Sequence, residues 1–291
     1  MKTRSYLAVI ALLSAAIPAA IIPSGCSGGD VSALDTIAKA DSLPPDSVLV
    51  DSVSVEEEVE EVPMPKAADE LFDDFFFNFA SSARLQRERV TFPLPVMVGE
   101  ERSEMKKKDW QTDRFFLDDG FYTLIIDSPD QLETMKDTAI TTVSVERIHI
   151  DDGYVTGYRF ERKNGLWRMV SITHDSIAAN HNASFLVFYE RFTTDTAFQI
   201  ASIQDPMQIV EADIYEDDEG EDMSGLIAPE QWPMFDPGMP SGTIYNIVYG
   251  EPLQGSDKQK LFIIRGISNG LEMEISFRHK EGRWMLTKMT M

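Results

Sequence analysis

One hairpin pattern occurs twice in this chain of 291 residues, and it restricts the possible folds more than any other feature. The segments RFERKNGLWRMVSIT (159–173) and SFRHKEGRWMLTKMT (276–290) both alternate residue types on either side of a turn that ends in glycine. Such alternation predicts two strands joined as a β-hairpin. The sequence therefore predicts two related units. One constant shift aligns Phe160 with Phe277, Lys163 with Lys280, Gly165 with Gly282, Trp167 with Trp284 and Thr173 with Thr290.

A phenylalanine-rich helix is predicted ahead of each hairpin. Apolar residues recur there at i, i+3 or i+4 and i+7, which is the spacing of an amphipathic helix. Asn182 or Ser184 is a candidate N-cap for the second helix. A second constant shift supports the duplication, because it aligns Phe72 with Phe185, Phe75 with Phe188, Phe79 with Phe192 and Pro93 with Pro206.

The middle of each unit differs, but both units end in strands. In the first unit, SEMKKKDWQTDRFF (103–116) predicts a second helix, followed by strands in 121–127, 139–150 and 154–163. In the second unit a long loop replaces that helix, and the strands TIYNIVYG, QKLFIIRGI and LEMEISFRHK follow. Helices first and an antiparallel sheet afterwards define the α+β class.

The first residues have the layout of an export signal. Lys2 and Arg4 precede an apolar run that ends in small residues before Cys26, the only cysteine in the chain. This arrangement resembles the acylation motif of bacterial lipoproteins, although Pro23 stands where that motif has an aliphatic residue. An ordinary cleaved signal and a membrane-spanning helix are the alternatives, but a span needs about 20 apolar residues without such breaks. Acylated Cys26 followed by Ser27 implies an outer-membrane lipoprotein, facing the periplasm or the cell surface.

A strongly acidic balance limits the partners of the protein. Loss of residues 1–25 would remove two basic residues and no acidic one, leaving 24 basic against 49 acidic residues and a net charge of −25. Such a surface repels nucleic acid and anionic lipid headgroups, so we expect no nucleic-acid partner. Membrane attachment would then depend on acyl chains on Cys26.

Residues 26–66 are rich in Ser, Asp, Glu, Val and Pro and contain no aromatic residue, which predicts a disordered tether. Four Asp-(Ser/Thr)-aliphatic triplets within it resemble the O-glycosylation sequon of some Gram-negative anaerobes, although this composition also produces such triplets by chance. Residues 67–179 and 180–291 form the two predicted units, each with its own core. The candidate glycosylated residues are Thr36, Ser42, Ser47 and Ser52.

A helix, a short helix and a curved meander that ends in a Gly-x-Trp strand resemble the nuclear-transport-factor-2-like superfamily. The resemblance implies helices that cover a cone-shaped sheet in each unit, and tandem lipid-anchored versions look like lipoproteins of gut bacteria. Cystatin-like domains share the element order and are the nearest alternative. Enzymes of the superfamily place an Asp or His inside the apolar cone, where desolvation tunes its pKa.

The sequence gives little support for such chemistry. His149 is the only strand-borne histidine and Asp113 is the candidate acid for the first cone, but a surface position is the simpler interpretation of both. No phosphate loop, zinc motif or nucleophile motif is present, and an EF-hand register centred on Gly220 lacks the required carboxylates. We therefore predict no catalytic residue, no metal site and no cofactor.

Surplus aromatic and Met residues suggest a recognition surface. Phe77 lies off the helical stripe, and a proline-rich segment carries Trp232, Phe235 and Met239. These residues either bind an apolar small ligand or an envelope protein, or fill the cores of the units. The leading hypothesis is a lipid-anchored binding module without catalysis. The alternatives are a hydrolase- or isomerase-like enzyme with an Asp/His acid-base in the first cone and a structural spacer with filled cones.

The two hairpin tryptophans give a geometric prediction. If the units are equivalent, each Trp lies on the last strand of its unit and packs beneath the helix of that unit. Trp167 should then contact the stripe of Phe72, and Trp284 the stripe of Phe185.

Overall fold

A computed structural model describes residues 69–211, 223–251 and 257–291. The predicted signal peptide and tether lie outside the described residues, and so do Cys26, Thr36, Ser42, Ser47 and Ser52. Most of the acidic loop between 211 and 224 also lies outside them. Within the described part of the chain, none of the helices has the combination of length and apolar character needed to cross a membrane.

In the described residues each half begins with two helices and continues with strands, and one further short helix lies among the strands of the first half. The helices are α1 (Phe72–Ser81), α2 (Ala83–Arg89), α3 (Gln131–Thr134), α4 (Ala183–Thr194) and α5 (Thr196–Ala201). The strands of the first half are β1 (Leu94–Val98), β2 (Glu101–Met105), β3 (Phe121–Ile126), β4 (Thr142–His149), β5 (Tyr154–Lys163) and β6 (Leu166–Ser176). Those of the second half are β7 (Ile203–Glu211), β8 (Met223–Ile227), β9 (Thr243–Tyr249), β10 (Gln259–Gly266), β11 (Glu272–Lys280) and β12 (Arg283–Thr290).

Both halves begin with a pair of helices that break at a capping residue. The side chain of Ser82 accepts a hydrogen bond from the Leu85 N–H at the start of α2, and Asp195 accepts one from Phe198 at the start of α5. Because a capping side chain satisfies an N–H group that has no partner in the helix, it fixes where the second helix begins. The shift that aligns the phenylalanine stripes also aligns these two caps.

The strands form two six-stranded sheets with corresponding strand order. The first sheet has the order β2-β1-β6-β5-β4-β9, and the second has the order β8-β7-β12-β11-β10-β3. Most pairs are antiparallel, but β1 runs parallel to β6 and β7 parallel to β12, so the expectation of purely antiparallel sheets is corrected. Register shifts between Arg159 and Phe160 and between Ser276 and Phe277 mark bulges of the kind that curve a sheet. The α+β class with helices and two curved sheets is confirmed.

The two halves exchange one strand each. β3 belongs to the first half but pairs with β10 in the second sheet, and β9 belongs to the second half but pairs with β4 in the first sheet. Leu261 and Ile263 of the second half consequently lie in the first core, and Ile148 of the first half lies in the second core. Two separate cores are present, but each contains residues of both halves, which the expectation of one independent core per unit does not include.

The hairpin tryptophans occupy the predicted places. The Trp167 ring lies 5.1 Å from that of Phe72, and the Trp284 ring lies 5.5 Å from that of Phe185, measured between ring centroids. Both tryptophans are buried. Each closing hairpin thus packs against the first helix of its own half, as the alignment predicts.

The predicted second helix of the first unit does not form. Residues 103–105 belong to β2, which makes a hairpin with β1 by pairing Met105 with Leu94. Only short 3-10 turns follow, at 107–109 and 115–118. The first four residues of β2 are exposed, so this segment has no apolar stripe with which a helix could pack against the core.

Candidate functional site

Both cones are filled by their own aromatic side chains. In the first, Phe160 lies within 6.0 Å of the rings of four α1 phenylalanines, and in the second Phe277 lies within 5.7 Å of three α4 phenylalanines, again between centroids. Phe160 and Phe277 are completely buried. Rings packed at this density occupy the space in which a ligand of an open cone would bind.

The candidate acid of the first cone forms an ion pair. Asp113 accepts a hydrogen bond of 2.6 Å from the Arg147 guanidinium and one of 3.3 Å from the Tyr158 hydroxyl. Arg147 also donates to the Tyr245 hydroxyl at 2.6 Å and lies over the rings of Tyr245 and Phe115. Burial raises the pKa of Tyr245 to about 12, and burial likewise raises the pKa of Tyr158. The Asp113 carboxylate is thus held in place by its hydrogen bonds with Arg147 and Tyr158.

The four histidines are spread over different environments. His149 stacks on Tyr154 with 4.2 Å between ring centroids, and burial lowers its pKa. His174 lies 3.1 Å from the Thr156 hydroxyl, and His279 packs on Trp284. None of the hydrogen bonds or ion pairs among the described residues joins a histidine to Asp113.

The residues of the proposed aromatic surface differ in exposure and do not all lie on the surface. Trp232 is completely buried and Met239 is 9% exposed, and both belong to the second core, as in the alternative in which these residues fill the cores. The side chain of Phe235 remains 38% exposed. Phe77 is half-buried and lines a recess of about 510 Å³ that also includes Tyr122 and Arg265.

A cavity lies between the ends of the two exchanged strands. β3 and β9 touch at Thr123, whose hydroxyl bonds with the backbone of Tyr245, and at Asn246, whose Oδ1 accepts the Ile125 N–H at 2.8 Å. Beyond these contacts, residues 124–127 of the β3 side and 247–250 of the β9 side line a cavity of about 210 Å³. The helix α3 and the start of α4 complete its wall through Gln131, Thr134, His181 and Asn182.

A buried lysine is the central charged group of this cavity. The side chain of Lys260 is 2% exposed, and its ammonium donates to Asp127 at 2.5 Å and to Asn182 Oδ1 at 2.6 Å. Burial of an unpaired ammonium would be strongly unfavourable, so the Asp127 carboxylate is required to hold it there. Lys260 comes from the second half of the chain and Asp127 from the first, so this ion pair joins the two halves.

The ammonium also fixes the orientation of its neighbours. Because an ammonium only donates, Asn182 turns its Oδ1 towards Lys260 and its Nδ2 towards His181 Nε2, 3.0 Å away. His181 Nε2 must then accept, which leaves the proton on Nδ1, 3.6 Å from Glu146. Lys260 therefore determines, through the orientation of Asn182, which ring nitrogen of His181 carries the proton.

Glu146, on β4 of the first sheet, is the last member of the polar network that begins at Lys260. It accepts hydrogen bonds from Asn180 at 2.8 Å and from Asn246 at 2.9 Å, and Asn246 is completely buried. Asn246 thereby connects the carboxylate on β4 with the backbone of β3. A network in which each buried group has a partner holds the surrounding elements in one arrangement.

A protonatable pair adjoins the cavity at Tyr249. The hydroxyl of Tyr249 donates to the Asp73 carboxylate on α1, and Tyr249 also lines the cavity. Burial raises the pKa of Asp73 above its ordinary value, although the hydrogen bond from Tyr249 acts in the opposite direction. Burial also raises the pKa of Tyr249.

Sequence reasoning missed the residues of this cavity, although one signal was present. Lys260 alternates with Phe262 and Ile264, so it lies on the same buried face of β10 as two core residues. A lone charged residue at a core-facing strand position predicts a buried ion pair. The position of Asp127 could not be found in this way, because the exchange of β3 brings it to Lys260.

The element order, the two curved sheets and the helices packed on them define a nuclear-transport-factor-2-like protein. A solved structure of similar fold is an NTF2-like protein from Bacteroides fragilis NCTC 9343, with 36% sequence identity and a TM-score of 0.71. The similarity covers 78% of this chain and 98% of the Bacteroides chain. No match was found among curated proteins.

A protein-family model matches most of the chain. Residues 51–291 match the family described as "Domain of unknown function (DUF4348)". The chain therefore belongs to the DUF4348 family, with a nuclear-transport-factor-2-like fold.

Proposed function

We propose that this protein is a non-catalytic binding module of the cell envelope, which binds a small ligand in the cavity between β3 and β9. The observation that carries the proposal is the convergence of Lys260, Asn182 and Gln131 on one cavity. Its volume, about 210 Å³, exceeds the roughly 150 Å³ of an apolar cavity known to hold benzene. A cleft or cavity with apolar walls and a few convergent polar groups is the usual form of a small-molecule site.

The two alternatives differ in what they require of the cones. An enzyme with its acid-base in the first cone has less support, because Asp113 is held by Arg147 and Tyr158. A structural spacer is favoured by the aromatic filling of both cones. The spacer and the binding module are distinguished by whether the cavity accepts a ligand.

A fragment screen by protein NMR tests the binding function. We expect fragments to shift the amide signals of Ile247, Tyr249 and Asn182, because these residues line the cavity. Thr134→Trp should abolish these shifts by filling the cavity, whereas Glu133→Trp on the exposed side of the same helix should preserve them. A library that shifts other surfaces, or none, would favour the spacer.

The envelope location is proposed from the lipoprotein-like start of the chain. Acylation of Cys26 would attach the protein to the outer membrane, and the acidic tether would hold the folded part away from the headgroups. Cys26→Ala should move the protein from the membrane fraction to the soluble fraction, and Ser27→Ala is the matched control. If the Cys26→Ala protein stays in the membrane fraction after a high-salt wash, acylation is not the anchor. Glycosylation of the tether stays a prediction, to be checked by the mass of the exported protein.

A further inference from the structure

Two free strand edges face each other across the cavity. β3 ends the second sheet and β9 ends the first, and neither pairs with a further strand among the described residues. The backbone of Tyr245 points away from β4, because its N–H donates to Thr123 on β3 at 3.2 Å. Since strand residues alternate in direction, the N–H and C=O groups of Ile247 and Tyr249 point to the same free edge. This edge lines the cavity, so it offers the pattern of donors and acceptors that an extended backbone requires.

Hydrogen-bond donors remain available beside that edge. Lys260 has three N–H donors, and the contacts with Asp127 and Asn182 use two of them. Gln131 Oε1 accepts from the backbone N–H groups of Asp127 and Ser128, while its Nε2 group donates to none of the described residues. The third N–H of Lys260 and the amide of Gln131 can therefore both donate to a carboxylate.

The size and charge of the cavity limit what such a ligand can be. A volume of about 210 Å³ leaves room for about two residues with small side chains, since a water molecule takes about 30 Å³ in the liquid. The Lys260 and Asp127 charges balance each other, and the Glu251 carboxylate in the lining is paired with Arg159 at 2.7 Å. A zwitterion suits a lining of balanced charges better than a simple anion, because its ammonium offsets the repulsion between its carboxylate and that of Asp127.

From these features we propose that the ligand class is a short extended peptide with a free C-terminal carboxylate. Its backbone pairs with the free edge of β9, and its carboxylate accepts from Lys260 and Gln131. Main-chain pairing with an exposed strand edge is a general mode of peptide recognition. This inference rests on the proposed binding function and names the ligand for the same cavity.

Calorimetry with alanine peptides tests the ligand class. We expect Ala-Ala to bind the full chain, and Ala-Ala-amide to bind at least tenfold more weakly because it lacks the carboxylate. Free alanine should also bind at least tenfold more weakly, because it cannot pair with two positions of the strand edge. Thr134→Trp should remove Ala-Ala binding, and Glu133→Trp should leave it unchanged.

The outcomes separate this inference from the binding function itself. If fragments shift the cavity residues but Ala-Ala does not bind, the ligand class is wrong and the binding function stands. If Ala-Ala and its amide bind equally, the role of Lys260 and Gln131 is wrong. If neither fragments nor peptides enter the cavity of a protein whose folding is confirmed by its NMR spectrum, both proposals fail.

Discussion

At the scale of single residues, positions that align between the two halves differ in ways that the sequence alignment does not predict. Trp284 donates its indole N–H to the Ser184 hydroxyl at 3.1 Å, whereas the indole N–H of Trp167 has no partner among the described residues. A buried donor without a partner costs stability, while a satisfied donor contributes modestly. The two tryptophans thus occupy corresponding positions but should contribute differently to the free energy of unfolding.

Replacement of each tryptophan by phenylalanine tests this difference. Trp284→Phe loses a hydrogen bond as well as ring volume, whereas Trp167→Phe loses volume but removes an unsatisfied donor. We expect the Trp284→Phe variant to lose about 1 kcal/mol more free energy of unfolding than the Trp167→Phe variant. Urea denaturation of the two variants measures the difference, and an equal or reversed loss would contradict this account of the donors.

Asp73 makes stability depend on pH. Its pKa is raised in the folded state, mainly by burial, so the contribution of this group is favourable below its ordinary pKa and is lost as the pH rises through the folded value. At neutral pH the protein therefore carries the cost of a partly buried carboxylate. Asp73→Asn should increase the free energy of unfolding relative to wild type more at pH 7 than at pH 4.

Denaturation at both pH values measures this effect. Asp74→Asn is the matched control, because Asp74 is exposed and adjacent on the same helix. A pH-independent effect of Asp73→Asn, or an equal effect of the control, would show that burial of Asp73 does not govern its titration.

At the scale of elements, the sequence predicted the positions of the strands better than it predicted which strands pair with each other. Alternation of apolar residues located β5 and β11, because a side chain that faces a core leaves a period of two in the sequence. Short apolar runs located β3 and β9, whose central residues are buried on both faces. Neither pattern specifies which strand lies alongside, so the exchange of β3 and β9 could not be predicted. The cavity depends on that exchange, and for this reason its residues escaped the sequence reasoning.

Asn246 is one of the side chains that connect the exchanged strands, together with Thr123. It accepts from the Ile125 N–H and donates to Glu146, and it is completely buried. Asn246→Leu would leave both groups unpaired, so we expect a loss of at least about 2 kcal/mol in the free energy of unfolding. Thr243→Leu, at an exposed position of the same strand, should change stability by less than about 0.5 kcal/mol. Chemical denaturation compares the two, and a small effect of Asn246→Leu would mean that the contact does not secure the exchange.

At the scale of the whole molecule, the two halves resemble each other in order but depend on each other for their cores. Each sheet is completed by a strand from the other half, and the Lys260–Asp127 ion pair crosses between them. A site between two such halves is rigid only while both are folded. The proposed binding function thus belongs to the pair of halves and to neither alone.

This dependence predicts cooperative unfolding. If the first core opens, β9 loses its partner β4, and the second core loses the buried Ile148. Trp167→Ala and Trp284→Ala should each cost about 3–5 kcal/mol, and each should shift one common thermal transition, because neither half keeps a complete core alone. Calorimetry should show a single transition in both variants, and amide hydrogen exchange should show β5 and β11 losing protection together. Two separate transitions, or protection that survives in β11 while β5 exchanges, would mean that the exchanged strands do not couple the cores.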